Sequence, residues 1–265
     1  TEVLQILNLS GLFAFNLLAI TVFTIPAVLF FKENLSKKIL IISSAFLFVF
    51  SIYIYGTISI NKNKALLNYL DNNNKVYTKV ISPNFELKYN SSIDEIENKL
   101  KKLVRYSDPD KRKTTLFIWP EGIFTGFNYN QISQFSNLIK DNFNENHLIL
   151  FGINTVDENS GGYFNSLVVI DNKFKILHQY NKKKLVPFGE FLPFEKFLNK
   201  LGLKKITQGH GSFLKGKIQG NIVLNNINIL PLICYEIIFP ELTQRASSKT
   251  NLIVNISEDG WFGNS

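Results

Sequence analysis

Ile229-Leu-Pro-Leu-Ile-Cys-Tyr-Glu236 is the stretch on which the reading of this chain turns, because it carries the only cysteine in 265 residues. An apolar run from Ile227 to Ile233, holding one Asn (Asn228) and one Pro (Pro231), stops abruptly at Cys234-Tyr235-Glu236. Proline at 240 suits the first turn of a helix, where its missing N–H leaves no bond unmade. The pattern predicts a buried strand that delivers a thiol to a strand-to-helix corner. Such a corner serves a nucleophile well: the side chain is exposed at the strand end, and free N–H groups of the next turn can face an oxyanion. A lone cysteine is as a rule a small hydrophobe, so the rest of the chain has to decide.

Apolar residues make up 45% of the chain and charged residues only 19%, a greasy balance concentrated at the N-terminus. Residues 11–31 hold no charge over 21 positions, and about 31 Å of helix is enough to cross a bilayer. Residues 39–60 are equally uncharged, so the two runs predict a transmembrane hairpin. Neither has the basic leader of a signal peptide. Lys32, Lys37 and Lys38 in the connecting loop place that loop in the cytoplasm, and the second span then carries everything after residue 61 outward. Lys62 and Lys64, just past that span, pull against this orientation. A single cysteine excludes an intramolecular disulfide framework. The net charge of +8 is not a nucleic-acid signature, because the lysines are scattered and not interleaved with aromatics. Anionic lipid is the simpler partner.

Residues 61–74 read as a polar linker, and from residue 75 short apolar runs alternate with amphipathic stretches. Strands are expected at Val76–Ile81, Thr115–Trp119, His147–Ile153, Tyr163–Ile170, Lys175–Tyr180 and Asn251–Ile256, with a hairpin over Ile222–Ile233 around Asn225-Asn226. Helices are expected at Ser92–Tyr106, with Ile93, Ile96, Leu100 and Leu103 on one face, and at Gln131–Phe143. Residues 182–207, with Pro187, Gly189, Pro193 and Gly202, read as irregular. Alternating strands and helices imply an α/β sandwich.

Three places beside Cys234 carry chemistry. Trp119-Pro120-Glu121 puts a carboxylate directly after a buried strand. Tyr180-Asn-Lys-Lys-Lys-Leu-Val-Pro-Phe-Gly-Glu190 gathers lysines and a carboxylate around a rigid turn. Asn255-Ile-Ser-Glu-Asp-Gly-Trp-Phe-Gly263 follows a strand with an aromatic, glycine-flanked turn. Alone, the first two read as ordinary surface loops, and the third could line a pocket or simply pack. His147, His178 and His210 share no metal-ligand spacing, so neither metal nor cofactor is expected. Gly211-Ser-Phe-Leu-Lys-Gly-Lys217 approaches a phosphate-binding loop but has Ile218 where a hydroxyl belongs.

Taken in order behind the apolar runs, the WPE strand end, YxKxxLVPFGE, CYE and S-x-D-x-WFG resemble the nitrilase (carbon–nitrogen hydrolase) superfamily, and within it the integral-membrane branch, the apolipoprotein N-acyltransferases. The resemblance covers nearly the whole chain and favours a reactive Cys234. It implies a nitrilase-like α-β-β-α sandwich over residues 75–265, preceded by a membrane region over 1–60. It also implies a catalytic triad of Glu121 as general base, Lys182 and the nucleophile Cys234, with Glu190 and Glu236 as supporting carboxylates and the Tyr235 N–H facing the oxyanion. Gly122 stands where the family often has Thr, and Glu258-Asp-Gly260 replaces a commoner Asn-Asp-Ala; both read as changes of loop. Further strands and spans implied by the family lie outside residues 1–265, so the chain reads as a fragment, its catalytic domain incomplete at the C-terminus.

The implied reaction is ping-pong transfer of a fatty acyl group from a membrane phospholipid, through a Cys234 thioester, to the N-terminal amine of diacylglyceryl-cysteine in apolipoproteins. The implied location is the bacterial inner membrane, with the catalytic domain on the periplasmic side. Phe191, Leu192, Phe194 and Phe197 are candidates for guiding acyl chains, or for plain packing. Two other readings stay open: a membrane-tethered amidase in which water resolves the thioester, and an inactive membrane-anchored remnant.

Overall fold

A computed structural model of the chain describes residues 1–70, 77–86, 88, 91–194, 212–217, 219–224, 227–247 and 249–258. They fall into two units, Thr1–Lys75 and Val76–Ser265.

In the first unit a 3₁₀ turn (Glu2–Ile6) leads into α1 (Leu7–Thr24), a second 3₁₀ turn covers Ile25–Phe30, and α2 runs over Leu35–Leu70. The apolar stretches Glu2–Phe30 and Leu35–Lys64 are each long enough to cross a hydrocarbon core. Neither is wrapped in protein: 0% and 6% of their most apolar windows are buried. A helix apolar all round needs either a protein core or lipid about it, which marks both as candidate membrane spans. Gly11, at φ +70°, kinks α1. Helix α2 continues through residues 61–70 of the stretch read as a linker; residues 71–74 lie outside the described ones.

The second unit is built on two sheets. Strands β1 (Tyr77–Val80), β2 (Thr115–Ile118), β3 (His147–Val156), β4 (Tyr163–Ile170) and β5 (Ile176–Asn181) lie side by side in that order. The first three are parallel, and β3, β4 and β5 are antiparallel. The second sheet pairs β6 (Ile222–Leu224) antiparallel with β7 (Ile227–Ile233), and β7 parallel with β8 (Leu252–Ile256). The helices are α3 (Ile93–Ser107), α4 (Tyr129–Ile132), α5 (Ser136–Asn142) and α6 (Pro240–Thr243).

Strand alternation explains the layering. In β2, Phe117 joins one buried cluster with Ile96, Leu100 and Leu103 of α3 and Ile139 of α5, while Leu116 and Ile118 join another with Ile229 and Ile233 of β7 and Val254 and Ile256 of β8. β3 and β4 divide the same way: Ile149, Phe151, Val168 and Ile170 face the helices, and Leu150, Leu167 and Val169 face the second sheet. Successive strand residues point to opposite faces, so runs apolar at every position serve a central sheet with a core on each side. The result is helix, sheet, sheet, and each fully buried aliphatic side chain contributes about 1.5–3 kcal/mol.

Strand β4 falls where the sequence puts it. Helix α3 is held by the capping box of Ser92 and Glu95, but Ile93 at its first position is half exposed, and Val104 completes the buried stripe instead. The single helix expected over Gln131–Phe143 is broken. A capping box between Asn128 and Gln131 starts α4 two residues early, at Tyr129. The Ser133 hydroxyl then donates to the Asn130 carbonyl at 2.6 Å, and the backbone tightens to a 3₁₀ turn before α5. Such local bonds compete with the regular helical ladder. Leu192 is buried and Phe194 exposed. Phe197, Gly202, His210, Asn225, Asn226 and residues 259–263 lie outside the described residues.

Candidate active site

Strand β7 ends at Ile233 and the chain turns at Cys234, whose φ of +55° lies in the left-handed region. A side-chain-bearing residue held there costs about 1–3 kcal/mol and persists only where its surroundings fix it. Here the fixing group is Glu236, fully buried. Its carboxylate accepts from the Ile233 N–H at 2.9 Å, from the Lys183 and Lys184 N–H groups at 2.7 and 3.1 Å, and from the Tyr180 hydroxyl at 3.0 Å. Four donors replace the water this carboxylate has lost. One side chain thereby ties the cysteine turn, a 3₁₀ turn over Cys234–Ile238, to the chain leaving β5. Pro240 opens α6, as its place in the sequence predicts.

Lys182 directly follows β5. Its N–H donates to the Asn165 carbonyl and its own carbonyl accepts from the Gly216 N–H, both at 2.8 Å. The stretch that approaches a phosphate-binding loop thus clips this backbone in place: Phe213 N–H donates to the Glu190 carbonyl and Leu214 N–H to that of Tyr163. The Lys182 ammonium, 2% exposed, lies 2.9 Å from Glu190 Oε1 and 3.5 Å from Glu121 Oε1. It also stands 5.8 Å over the Tyr235 ring. Asn165 Nδ2 donates to both carboxylates at 2.7 Å, and Glu190 Oε2 accepts from the Val186 N–H at 2.9 Å. Glu121, Lys182, Glu190 and Asn165 therefore form one closed buried set, with Tyr235 and Cys234 beside it.

Glu121 follows the end of β2, where Trp119 N–H still pairs with the Leu150 carbonyl at 2.8 Å. Its backbone lies against Gly152 of β3 so closely that a Cβ on that glycine would sit 2.8 Å from Glu121 Cα. Only glycine lets the two strands approach this way.

The electrostatics sort the groups. Burial pushes the Glu121 carboxyl above the usual carboxylate range, and the Lys182 charge and the Asn165 bond only partly restrain it. Burial pulls the Lys182 ammonium down, but the Glu121 and Glu190 charges outweigh that and hold it above its ordinary value, so it stays protonated. Burial and the Glu121 charge push the Cys234 thiol up, against the Lys182 charge, a Ser257 side-chain bond and the Tyr235 N–H. The resting sulfur is therefore a thiol next to a carboxylate of enhanced basicity. That arrangement suits proton transfer during attack and not a pre-formed thiolate.

The structure brings together every site residue expected from the sequence: Glu121, Lys182, Cys234, Glu190, Tyr235 and Glu236. Two positions escape a reading by motif. Asn165 is a lone amide in the apolar run of β4, and Gly152 a lone glycine inside β3; each was a signal for a special contact. Among the described residues no group of three or more His, Cys, Asp and Glu side chains could hold a metal ion.

The profile of the carbon-nitrogen hydrolase family matches residues 86–265, which hold both sheets from β2 onward and the cluster around Cys234. The chain belongs to that family. Among curated relatives it is similar to the apolipoprotein N-acyltransferase of Rhodopseudomonas palustris, 30% identical over 98% of this chain and 50% of that protein. It is similar also to that of Brucella suis, at 28% over 98% and 49%, and to that of Rhizobium leguminosarum, at 34% over 57% and 29%. The chain spans about half the length of the relatives it matches end to end. Among solved structures, a carbon-nitrogen hydrolase from Helicobacter pylori superposes with a TM-score of 0.47 at 16% identity, over 69% of this chain and 59% of that one.

Proposed function

We propose that this chain catalyses acyl transfer through Cys234, taking a fatty acyl group from a membrane phospholipid and passing it to the N-terminal amine of diacylglyceryl-cysteine in apolipoproteins. The observation that carries the reading is the position of the Lys182 ammonium, buried against Glu121 and Glu190 beside the Cys234 turn. The names of the relatives support the acceptor, and the two candidate spans support a lipidic donor.

In this mechanism the Cys234 sulfur attacks the ester carbonyl while its proton passes to Glu121. The oxyanion is held by the Lys182 ammonium and the Tyr235 N–H; in enzymes of this type one such donor contributes about a hundredfold to a thousandfold in rate. Collapse expels the lysophospholipid alkoxide, which takes the proton back from Glu121 and leaves a thioester. The acceptor amine then attacks the thioester, gives its proton to Glu121, and the thiol is restored. Glu190, Asn165 and Glu236 keep the three groups in register. The catalytic unit, from about residue 75 onward, is tethered by the two spans to the inner membrane and works on its periplasmic side.

The test is lipoprotein N-acylation in cells that depend on this protein, read by mass spectrometry of the lipoprotein N-terminus. Cys234→Ala and Cys234→Ser should abolish it. Undiminished N-acylation in either variant sinks the proposal, and release of free fatty acid without transfer points to the amidase reading.

A further inference from the structure

A cavity of about 320 Å³ opens beside Glu121, at the C-terminal ends of β1, β2 and β8; Ser82, Phe85, Trp119, Glu121, Ser257 and Glu258 are among its lining residues. Two of these bear on the chemistry: Glu121 shares the buried set with Lys182, and Ser257 is close enough to Cys234 to draw its thiol down against burial. Glu258 is different, because no step described above uses it. Its carboxylate lies against Gly122, so close that a Cβ there would collide with the carboxylate oxygen, and Gly122 itself sits at φ +71°. The left-handed glycine thus leaves the space that Glu258 occupies. Lys99, half-buried, donates to the Ile123 carbonyl at 3.1 Å; burial pulls its ammonium below the ordinary lysine value, and the Glu258 and Glu95 charges only partly oppose this. The lining of the cavity therefore includes two acidic residues, Glu121, whose charge is met by Lys182, and Glu258, whose carboxylate lies against Gly122.

We infer that Glu258 is the specificity residue for the acceptor: it receives a primary amine in its ammonium form in this cavity and holds it beside the Cys234 thioester. The inference rests on the acyl-transfer reading. An α-amine has a pKa of about 7.7–8.0, so near neutral pH most of it arrives charged. A cavity walled by a carboxylate selects that form over water or an alcohol, since a charge-assisted bond outweighs a neutral one. The ammonium passes one proton to the Glu258 carboxylate, which returns it to solvent; the free amine then attacks the thioester carbonyl carbon and loses its second proton, by way of Glu121, to the departing Cys234 sulfur.

The experiment uses the full chain in phospholipid vesicles. The acyl-enzyme is formed first, then cleared either by a diacylglyceryl-cysteine peptide with a free α-amine or by hydroxylamine, which is uncharged near neutral pH; intact mass follows both. In Glu258→Gln the peptide concentration for half-maximal clearance should rise about tenfold to a hundredfold, as loss of one bond to an ionised group predicts. The ratio of peptide to hydroxylamine clearance should fall with it, and Glu258→Asp should restore part of it. Gly122→Ala, which drives a Cβ into the carboxylate, should act in the same direction. A peptide dependence in Glu258→Gln equal to that of the unaltered chain, or an equal loss for both nucleophiles, overturns the inference while leaving acyl transfer intact. If the unaltered chain acquires no acyl mass at all, the proposed function falls and this inference with it.

Discussion

Replacing Glu236 by Gln tests whether one buried carboxylate couples the Cys234 turn to the chain around Lys182. Its four donors come from both arms of the site: Ile233 N–H and Tyr180 hydroxyl at one oxygen, Lys183 and Lys184 N–H at the other. A carboxamide must turn its NH₂ toward one pair. The hydroxyl of Tyr180 can rotate to accept, so the cheaper orientation leaves the Ile233 N–H without an acceptor. A hydrogen bond to an ionised group contributes about 1.5–3 kcal/mol and a neutral one about 0.5–1.5 kcal/mol, so Ile233 forfeits a whole bond and the two lysine N–H groups about 1 kcal/mol each. Relief from burying a charge offsets part of this, leaving about 2–4 kcal/mol. In a unit of this size each kcal/mol lowers the melting midpoint by about 2–4 °C, so a drop of about 5–15 °C is expected in detergent micelles. Because the released Ile233 N–H immediately precedes Cys234, acylation of the thiol should slow at least about tenfold in protein that is still folded. A shift below about 2 °C with unimpaired acylation would refute the coupling.

Asn165→Ala removes the amide shared by Glu121 and Glu190; acylation should slow about tenfold to a hundredfold with the fold retained, from the loss of bonds to ionised groups, and an unchanged single-turnover rate would contradict the role. Gly152→Ala should push Glu121 from its place and destabilise the chain by about 1–3 kcal/mol through overpacking; circular dichroism melts and acylation rates both report it, and a neutral result in both would show that the strands can part freely. Burial raises Glu121, and only its ionised form accepts the thiol proton, so acylation falls as pH drops through that raised value. The acid limb should lie above about 4.3, the ordinary glutamate value; a limb at or below it in a stopped-time acylation series would remove Glu121 from the role of base.

Local pattern made much of the fold legible. Short unbroken apolar runs in β2, β3 and β4 announce buried strands, and the abrupt end of β7 announces the turn at Cys234. The layering follows from strands that are apolar on both faces. Long-range contact was not legible: Asn165 meets Glu121 across 44 residues and Glu236 meets Lys183 across 53, and no spacing rule connects such positions. Gly152 reads as a weak point in a strand until Glu121 is seen lying against it. The break in the helix around Ser133 is not legible in periodicity, which registers the buried face, Ile132 and Ile139, and is blind to side chains that bond their own backbone.

The central claim is that Cys234 carries the acyl group. Intact mass of the purified chain after incubation with phospholipid vesicles, before and after neutral hydroxylamine, tests it directly. The account predicts a gain of one fatty-acyl mass that hydroxylamine removes and that Cys234→Ala never acquires. A folded, unaltered chain that gains no such mass, or an adduct that survives hydroxylamine or appears on Cys234→Ala, would contradict it.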